Sequence, residues 1–422
     1  MIPKDLQYYK FCSYGFLKNL RFFDPFILLF FRSIGMSYLQ IGVLFSVREI
    51  SATVLELPTG IIADLFGRKN SMISSFLAYI LSFIIFYTSL KYSLFIIAMF
   101  LFAVGEAFRT GTHKAMIFDY LKIKNISHLK TEYYGHTRSW SQKGSALSSL
   151  VAGALVFFTG KYRIIFLATI VPYIIELFLM MSYPKELNGL QFSLKKSKNR
   201  PNWKDFIHIF KRVEFRRGIL NSSLYDGLFK SVKDYLQPIL KSFAISLPIL
   251  LTMKDDQRSA VIIAAVFFLL YNLTSYASKN ASAFSHRFRN LPKAINITFL
   301  FGIFVTIMSG LFYNWQIPII SIILFIFLYM MQNVRRPMNV SYISETIPCK
   351  LMATGLSVES QLKTLFIAIF SPIVGVLADQ LGVGIAIALM ACVLILLYPL
   401  VRVAEAKLAE KIIRNEHVNS NH

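Results

Sequence analysis

The chain is short of charge. Only 16% of its 422 residues are Asp, Glu, Lys or Arg, where a soluble domain carries about a quarter. It is short of cysteine as well. Cys12, Cys349 and Cys392 form no spaced motif, so neither a disulfide framework nor a metal site is indicated. Acids are scarcer than bases, 22 against 45, and the formal net charge is +23. No Gly-x-x-x-x-Gly-Lys-Ser/Thr loop is present, so ATP is not the expected energy source. No His-Glu-x-x-His or Gly-x-Ser-x-Gly motif is present either. Nothing points to an enzyme, to a cofactor or to a bound metal. No small-residue cleavage site follows a short apolar stretch, so no removable signal peptide is expected. The longest soluble stretch is 185–217. It is too short for a folded signalling domain, which counts against a non-transporting sensor or scaffold.

Apolar residues are abundant, at 55% of the chain, and the mean hydropathy is +0.54. They fall in runs of about twenty, long enough to cross a hydrocarbon layer of roughly 30 Å as helices. The expected fold class is therefore an all-α polytopic membrane protein. Twelve spans can be drawn, near 9–33, 38–63, 71–90, 93–121, 134–159, 163–183, 218–250, 258–280, 291–313, 316–347, 354–378 and 382–402. They divide the chain into a first six-helix bundle at 1–184, a basic linker at 185–217, a second bundle at 218–403 and a tail at 404–422.

The charge is not spread evenly. Between Lys185 and Arg217 lie ten Lys/Arg residues against Glu186, Asp205 and Glu214. The connections after spans two, four and eight carry Arg68/Lys69, Lys122/Lys124/Lys130 and Arg287/Arg289/Lys293, and the tail carries Lys407, Lys411 and Arg414. The intervening connections are poorer in cations. The positive-inside bias then puts both termini and the linker on the cytoplasmic side. Anionic lipid is the expected neighbour of these bases, and no nucleic-acid partner is expected.

Two internal patterns stand out. Span two runs into Gly60-Ile61-Ile62-Ala63-Asp64-Leu65-Phe66-Gly67-Arg68-Lys69. Here a charge ends the apolar run, Gly67 permits a turn of positive φ, and two cations stand at the membrane edge. It is partly repeated after span eleven as Gly375-Val376-Leu377-Ala378-Asp379-Gln380-Leu381-Gly382. Span one carries Gly15-Phe16-Leu17-Lys18 with Arg21 and Pro25, and span seven answers with Gly227-Leu228-Phe229-Lys230, Lys233 and Pro238. Weak internal repeats of this kind are a property of transporter folds. The Gly60–Lys69 pattern resembles the signature loop of the major facilitator superfamily, with Leu65 where that family usually has a base. The resemblance extends to bacterial branches of the drug/proton antiporter and multidrug efflux kind. It implies two pseudo-symmetric six-helix bundles that rock about a central site. It implies a gating role for Gly60, Asp64, Gly67, Arg68 and Lys69, with Asp119 as a partner for Arg68.

The spans also carry charges that lipid will not accept. A charged side chain at the centre of a membrane helix costs about 2.5–3.5 kcal/mol even on mild scales, so such residues line a cavity or pair with one another. Read as regular helices, span one groups Lys18, Arg21 and Asp24, and span two groups Glu49 and Glu56 beside Arg48. Span four carries Glu106, Arg109 and His113, and span five aligns Arg138, Gln142, Ser145 and Ser149. Span seven carries Asp226, Lys230, Lys233 and Asp234, and span ten has Arg335 and Arg336. Spans three, six, nine and twelve read as nearly free of interior charge. Eleven interior cations, counting Lys114 and Lys363, face seven acids, counting Glu359. The surplus is positive, and uncompensated cations in a low dielectric seek an anion.

The substrate-path candidates are Lys18, Arg21, Arg48, Arg109, His113, Arg138, Gln142, Lys230, Lys233 and Arg335. Many such charges exist only to neutralise one another, and pairing is the plainer reading for each taken singly. Asp24, Glu49 and Glu106 are the candidates for proton coupling, because each has a cation close by in its own span. The expected function is secondary active, proton-coupled transport of a small organic solute. The solute is either one bearing a carboxylate or phosphate or a drug-like amphiphile, and the transporter works as a monomer. A flippase for a lipid-linked solute is the alternative reading.

Overall fold

A computed structural model describes residues 3–188, 212–249, 251–285, 287–288, 290–347 and 352–403. The twelve spans are present, and three are broken. Span one is Leu6–Leu17 plus Ile27–Ser33, span four is Tyr92–Arg109 plus Thr112–Ile123, and span seven is Val213–Val232 plus Leu236–Ser246. The remainder are continuous: span two Tyr38–Phe66, three Arg68–Thr88, five Lys130–Thr159, six Ile164–Met181, eight Asp255–Lys279, nine Leu291–Asn314, ten Pro318–Thr346, eleven Met352–Leu381 and twelve Val383–Val401. Span seven starts five residues before the expected 218, so the linker ends sooner than its composition suggested. Residues 189–211 of that linker, the tail from 404 and Cys349 lie outside the described residues.

The breaks correct the reading of spans one, four and seven as regular helices. Between Leu17 and Ile27 the chain makes tight turns, with Leu20 N bonded to Leu17 O at 2.9 Å and Phe26 N to Phe23 O at 3.0 Å. Pro25 explains the break, since it has no N–H and its ring crowds the preceding turn. Breaking a helix inside a membrane strands backbone amides that water cannot reach. Gln237 of span seven supplies them. Its Oε1 accepts from Leu28 N at 2.9 Å and Leu29 N at 3.4 Å, and its Nε2 donates to Asp24 O at 3.0 Å. Gln237 is fully buried. Its own helix restarts just there, after the turn Lys233–Tyr235, with Pro238 near its first position. Thus the Gly/Lys/Pro echo read in the sequence marks where both helices break, and the two breaks are tied to each other across the halves.

Nine of the helices are long and apolar enough to cross a membrane among the described residues, and spans one, five and seven are the ones that fall short. Two of these are broken. The third is polar through its first half. Packing follows small residues and rings, because lipid supplies no hydrophobic drive between helices. Ser75 Oγ donates to Gly105 O at 2.6 Å and Ser82 Oγ to Ala98 O at 2.7 Å, which seats span three on span four. Phe166 of span six packs against Phe30 at 4.7 Å and Phe86 at 4.9 Å between ring centres.

The bundle has two ends. The one where span one starts and the linker attaches is called the linker end, and its opposite the far end. Spans two and eleven form one seam between the halves, and spans five and eight the other. The polar contacts of these seams lie from mid-membrane to the far end. Thr53 and Thr364 hydroxyls meet at 2.8 Å, Ser46 Oγ donates to Ala368 O at 2.9 Å, and Gln257 Nε2 donates to Phe157 O at 2.7 Å. At the far end a Cβ on Gly42 would collide with the backbone of Ser371, and one on Gly375 with the backbone of Tyr38 and Leu39. Asp379 closes the joint. Its two oxygens accept from Tyr38 N at 2.9 Å and Leu39 N at 2.8 Å, the open amides at the start of span two.

The Asp of the second motif is therefore a clamp at the far end. Replacing Asp379 with Leu is expected to lengthen the distance between spin labels at Leu94 and Leu251, one on each half's far end, in a variant free of native cysteine. An unchanged distance distribution would show that the clamp does not hold the far end shut.

Candidate functional site

The linker-side halves of spans one, four, five and ten enclose a cavity of about 370 Å³. Its walls carry Lys18, Arg109, His113, Lys114, Arg138 and Arg336, together with Tyr14, Asn19, Tyr134, Thr137, Ser141 and Gln142. No Asp or Glu lines it among the described residues. Span four delivers Arg109 and His113 from the two sides of its break at Thr110–Gly111. Span five delivers Arg138 and Gln142 four residues apart on one face. Arg336 comes from the other half.

These bases differ in what they touch. Lys18, Lys114, Arg138 and Arg336 have no acid within 4 Å among the described residues. Lys18 Nζ lies 5.5 Å from the Tyr14 ring centre, and Lys114 Nζ 5.4 Å from that of Tyr134. His113 is buried. It stacks on Tyr14 at 3.5 Å between ring centres, with its Nε2 3.2 Å from the Tyr183 hydroxyl. Arg109 is held at the inner end of the cavity. Its Nη2 donates to Glu106 and its Nε to the Tyr79 hydroxyl at 3.2 Å.

Deeper in the bundle the charges pair. One Glu106 oxygen accepts from Arg21 and the other from Arg109, so a single carboxylate neutralises two guanidiniums from different spans. Arg21 Nε also donates to Tyr173 Oη at 3.2 Å. Glu49 is shared in the same manner, with Arg48 at 3.0 Å in its own span and Lys230 at 3.0 Å across the halves. Lys233 meets Asp234 at 2.7 Å, and Asp226 takes Lys363 at 2.8 Å together with Gln332. Asp24 makes no ion pair among the described residues. In this state Glu49 and Glu106 are thus saturated with cations, while the positive surplus sits in the cavity.

Several expectations need correction. Arg335 does not face a path. It is fully buried between spans seven, nine and ten, where it donates to Ile295 O, to Thr298 Oγ1 at 2.8 Å and to Asn221 Oδ1 at 2.7 Å. Tyr225 and Phe299 flank its guanidinium, at 4.2 and 5.4 Å. Span six is not free of interior charge, since Glu176 stands in it with no exposure. The residue sits in a strongly apolar stretch and was passed over for that reason. Gln237 precedes Pro238 of the echo, and nothing in its own spacing announces the breaks it caps.

The loop Gly60–Lys69 is partly as expected. Arg68 donates to Asp119 and lies 3.9 Å from Asp64, so all three charges belong to one half. Gly67 has φ of 96° and Gly382, its counterpart in the echo, 86°. Such values favour glycine. Asn188 packs against Gly67, accepts from Lys69 N at 3.0 Å, and leaves Lys69 Nζ to bond the exposed carbonyls of Met181 and Tyr183 at the end of span six. Gly60 serves no close approach, for a Cβ there would meet nothing within 4 Å.

Removing the Glu106 charge leaves two half-buried cations facing each other. Glu106→Gln is expected to cost up to about 3 kcal/mol, the low end of the range for breaking a buried pair, because water still reaches the group. Glu49→Gln is expected to cost less, because its partner Lys230 is 36% exposed. Thermal unfolding of the two purified variants checks the order.

Comparison with known proteins follows this geometry. A family model described as the Major Facilitator Superfamily matches residues 11–360. An uncharacterized MFS-type transporter, YxaM, of Bacillus subtilis (strain 168) is 33% identical over 104 residues, 24% of this chain and 26% of that one. The aligned part thus spans about a quarter of that relative's length. Among solved structures, nucleoside transporter NupG superposes with a TM-score of 0.71 at 12% identity, covering 95% of this chain and 98% of that one. A bacterial homolog to the human lysosomal transporter Spinster, inward-facing and unoccupied, gives 0.69 at 13%, covering 94% and 97%. A D-xylose-proton symporter gives 0.66 at 14%, covering 94% and 96%. At these identities the likeness is one of fold.

Proposed function

The chain belongs to the major facilitator superfamily, and from that premise we propose that it is a proton-coupled secondary transporter of a small organic anion. As a member of that family it is a membrane transporter and not an enzyme. The proposal concerns the solute and the energy source. One observation carries it: a cavity lined by Lys18, Arg109, His113, Lys114, Arg138 and Arg336 with no acid in its wall. Bases held together in a partly desolvated cleft repel each other and focus a positive potential on its interior. A carboxylate or phosphate relieves that repulsion, and a neutral or cationic solute does not. Phe11, Tyr14 and Tyr134 in the same wall offer rings to the body of such an anion.

The cation-rich connections favour a linker end that faces the cytoplasm. The cavity then faces inward, with the far end closed by Asp379, Gly42 and Gly375. Arg68 stays within its own half and the Asp64 side chain is 61% exposed, as a released latch would be. Alternating access in this reading exchanges one clamp for the other, Asp379 at the far end for Asp64 at the linker end. The proposed location is a bacterial inner membrane. Among the structural neighbours, one is described as a nucleoside transporter and one as a proton symporter of D-xylose. These are polar solutes, which fits a polar cavity better than a drug-like amphiphile.

The test uses matched pairs that differ in charge. Benzoate and benzamide, glucose 6-phosphate and glucose, and uridine monophosphate and uridine are offered to purified protein in thermal-shift assays. At least one anion is expected to raise the melting temperature where its neutral partner does not, since a ligand that binds the folded state stabilises it. Arg138→Gln is expected to reduce that shift. A neutral member that stabilises as well as its charged partner would overturn the anion reading.

A further inference from the structure

Glu176 is the one acid named above that has lost both water and partners. It lies in span six with no exposure, and neither of its oxygens makes a well-formed hydrogen bond; the Lys18 backbone amide that approaches it is already bonded to Tyr14 O at 3.1 Å. Asp24 also lacks an ion pair among the described residues but keeps partial exposure, and the other acids of the bundle interior named above have partners. Glu106 and Glu49 each hold two cations, Asp226 holds Lys363 and Gln332, and Glu359 accepts from Ser222 at 2.7 Å. An ionised carboxylate stripped of solvent and left unbonded is far costlier than a neutral one.

The surroundings of Glu176 give that neutrality a use. Tyr173, three residues before Glu176 on span six, donates to Lys18 O at 3.2 Å and so seats that part of span one beside it; Lys18, Tyr14, Arg109 and Tyr183 are the charged or titratable groups within its electrostatic reach. Spans three and five also pack on span six, and add no charged group acting on it among the described residues. Arg109 is already committed to Glu106. Lys18 is committed to no acid, and it lines the cavity. Glu176 and the cavity therefore compete for the same ammonium.

We propose that Glu176 is the proton-carrying group of this transporter, and that its proton and the anion are bound together. Resting on the anion reading above, the competition for Lys18 sets the sign of the coupling. With a proton on its carboxyl, Glu176 leaves the Lys18 charge facing the cavity, where the anion takes it. When the proton leaves to cavity water, the carboxylate claims Lys18 and cancels one of the cations that holds the anion. Each ligand then favours the other by the same factor, as linkage requires. Two ligands that favour each other cross together, so the transporter is a symporter of proton and anion.

The first measurement needs no substrate. The infrared spectrum of the wild type at neutral pH is expected to show the carbonyl band of a protonated, unbonded carboxyl, and Glu176→Gln is expected to lack it. A wild type without that band overturns the proposal. The second uses the anion probes benzoate, glucose 6-phosphate and uridine monophosphate across a pH series. Wild-type affinity is expected to weaken by about tenfold for each pH unit once Glu176 ionises. Glu176→Gln, held neutral, is expected to bind as the acid form does at every pH and to exchange anion without accumulating it under an imposed pH gradient. Glu176→Asp keeps a carboxyl and is expected to keep the pH dependence, which separates the role from packing. A pH dependence that survives in a folded Glu176→Gln overturns the proposal and leaves the anion reading standing. If no probe binds the wild type at any pH while the carboxyl band is present, the anion reading falls and the coupling with it.

Discussion

A carboxylate shared between two guanidiniums holds the centre of the first half. Glu106 draws Arg21 from span one and Arg109 from span four onto its two oxygens. Neither Arg would be tolerated there alone, because a lone charge in the membrane interior keeps most of its desolvation cost. Satisfied together, they form a rigid plug at the inner end of the cavity. Tyr79 and Tyr173 complete their hydrogen bonds from spans three and six. Four of the six helices of that half are thereby registered around one acid. The cavity inherits its shape from this plug and its sign from the cations that the plug does not use.

A second constraint acts on the backbone. Spans one and seven break where a continuous helix would have carried their Lys and Asp side chains past each other on the surface of a cylinder. The break frees Lys18 and Arg21 to point at different partners, one to the cavity and one to Glu106. Its cost is met by Gln237, which gives amides in the other half the acceptor they lack. The joint lies on the closed side of the molecule, together with the Asp379 clamp. The halves are thus held where their backbones touch and free where the cavity opens.

The distribution of charge separates structure from function. Paired groups, namely Glu49 with Lys230 and Arg48, Asp226 with Lys363, and Arg335 among neutral acceptors, hold helices together. Unpaired ones, namely Lys18, Lys114, Arg138 and Arg336, face the open volume. Glu176 stands between the two sets, an acid with no partner beside a base with no acid. That juxtaposition is what ties the transport of a proton to that of an anion in our reading.

Much of this was legible in one dimension. The apolar runs determined an all-helical membrane fold, because a continuous apolar run of about twenty residues in lipid satisfies its own backbone only as a helix, whereas barrel strands alternate. The echo of Gly, Lys and Pro in spans one and seven, and of the Gly/Asp/Gly loops after spans two and eleven, determined a chain of two related halves. The pairing of Arg68 with Asp119 could be anticipated from their placement at one membrane edge. Which charges pair and which remain open could not be anticipated, since a helical face specifies a direction but not the neighbour that meets it. Arg335 and Arg336 are adjacent in sequence, yet one is buried among Asn221, Thr298 and two rings while the other lines the cavity. Only the tertiary structure decided that, because the burial of a charge depends on atoms that arrive from other spans. The same reason hid Glu176. Its isolation exists only once spans one, three, four and five have closed around it and brought it no partner.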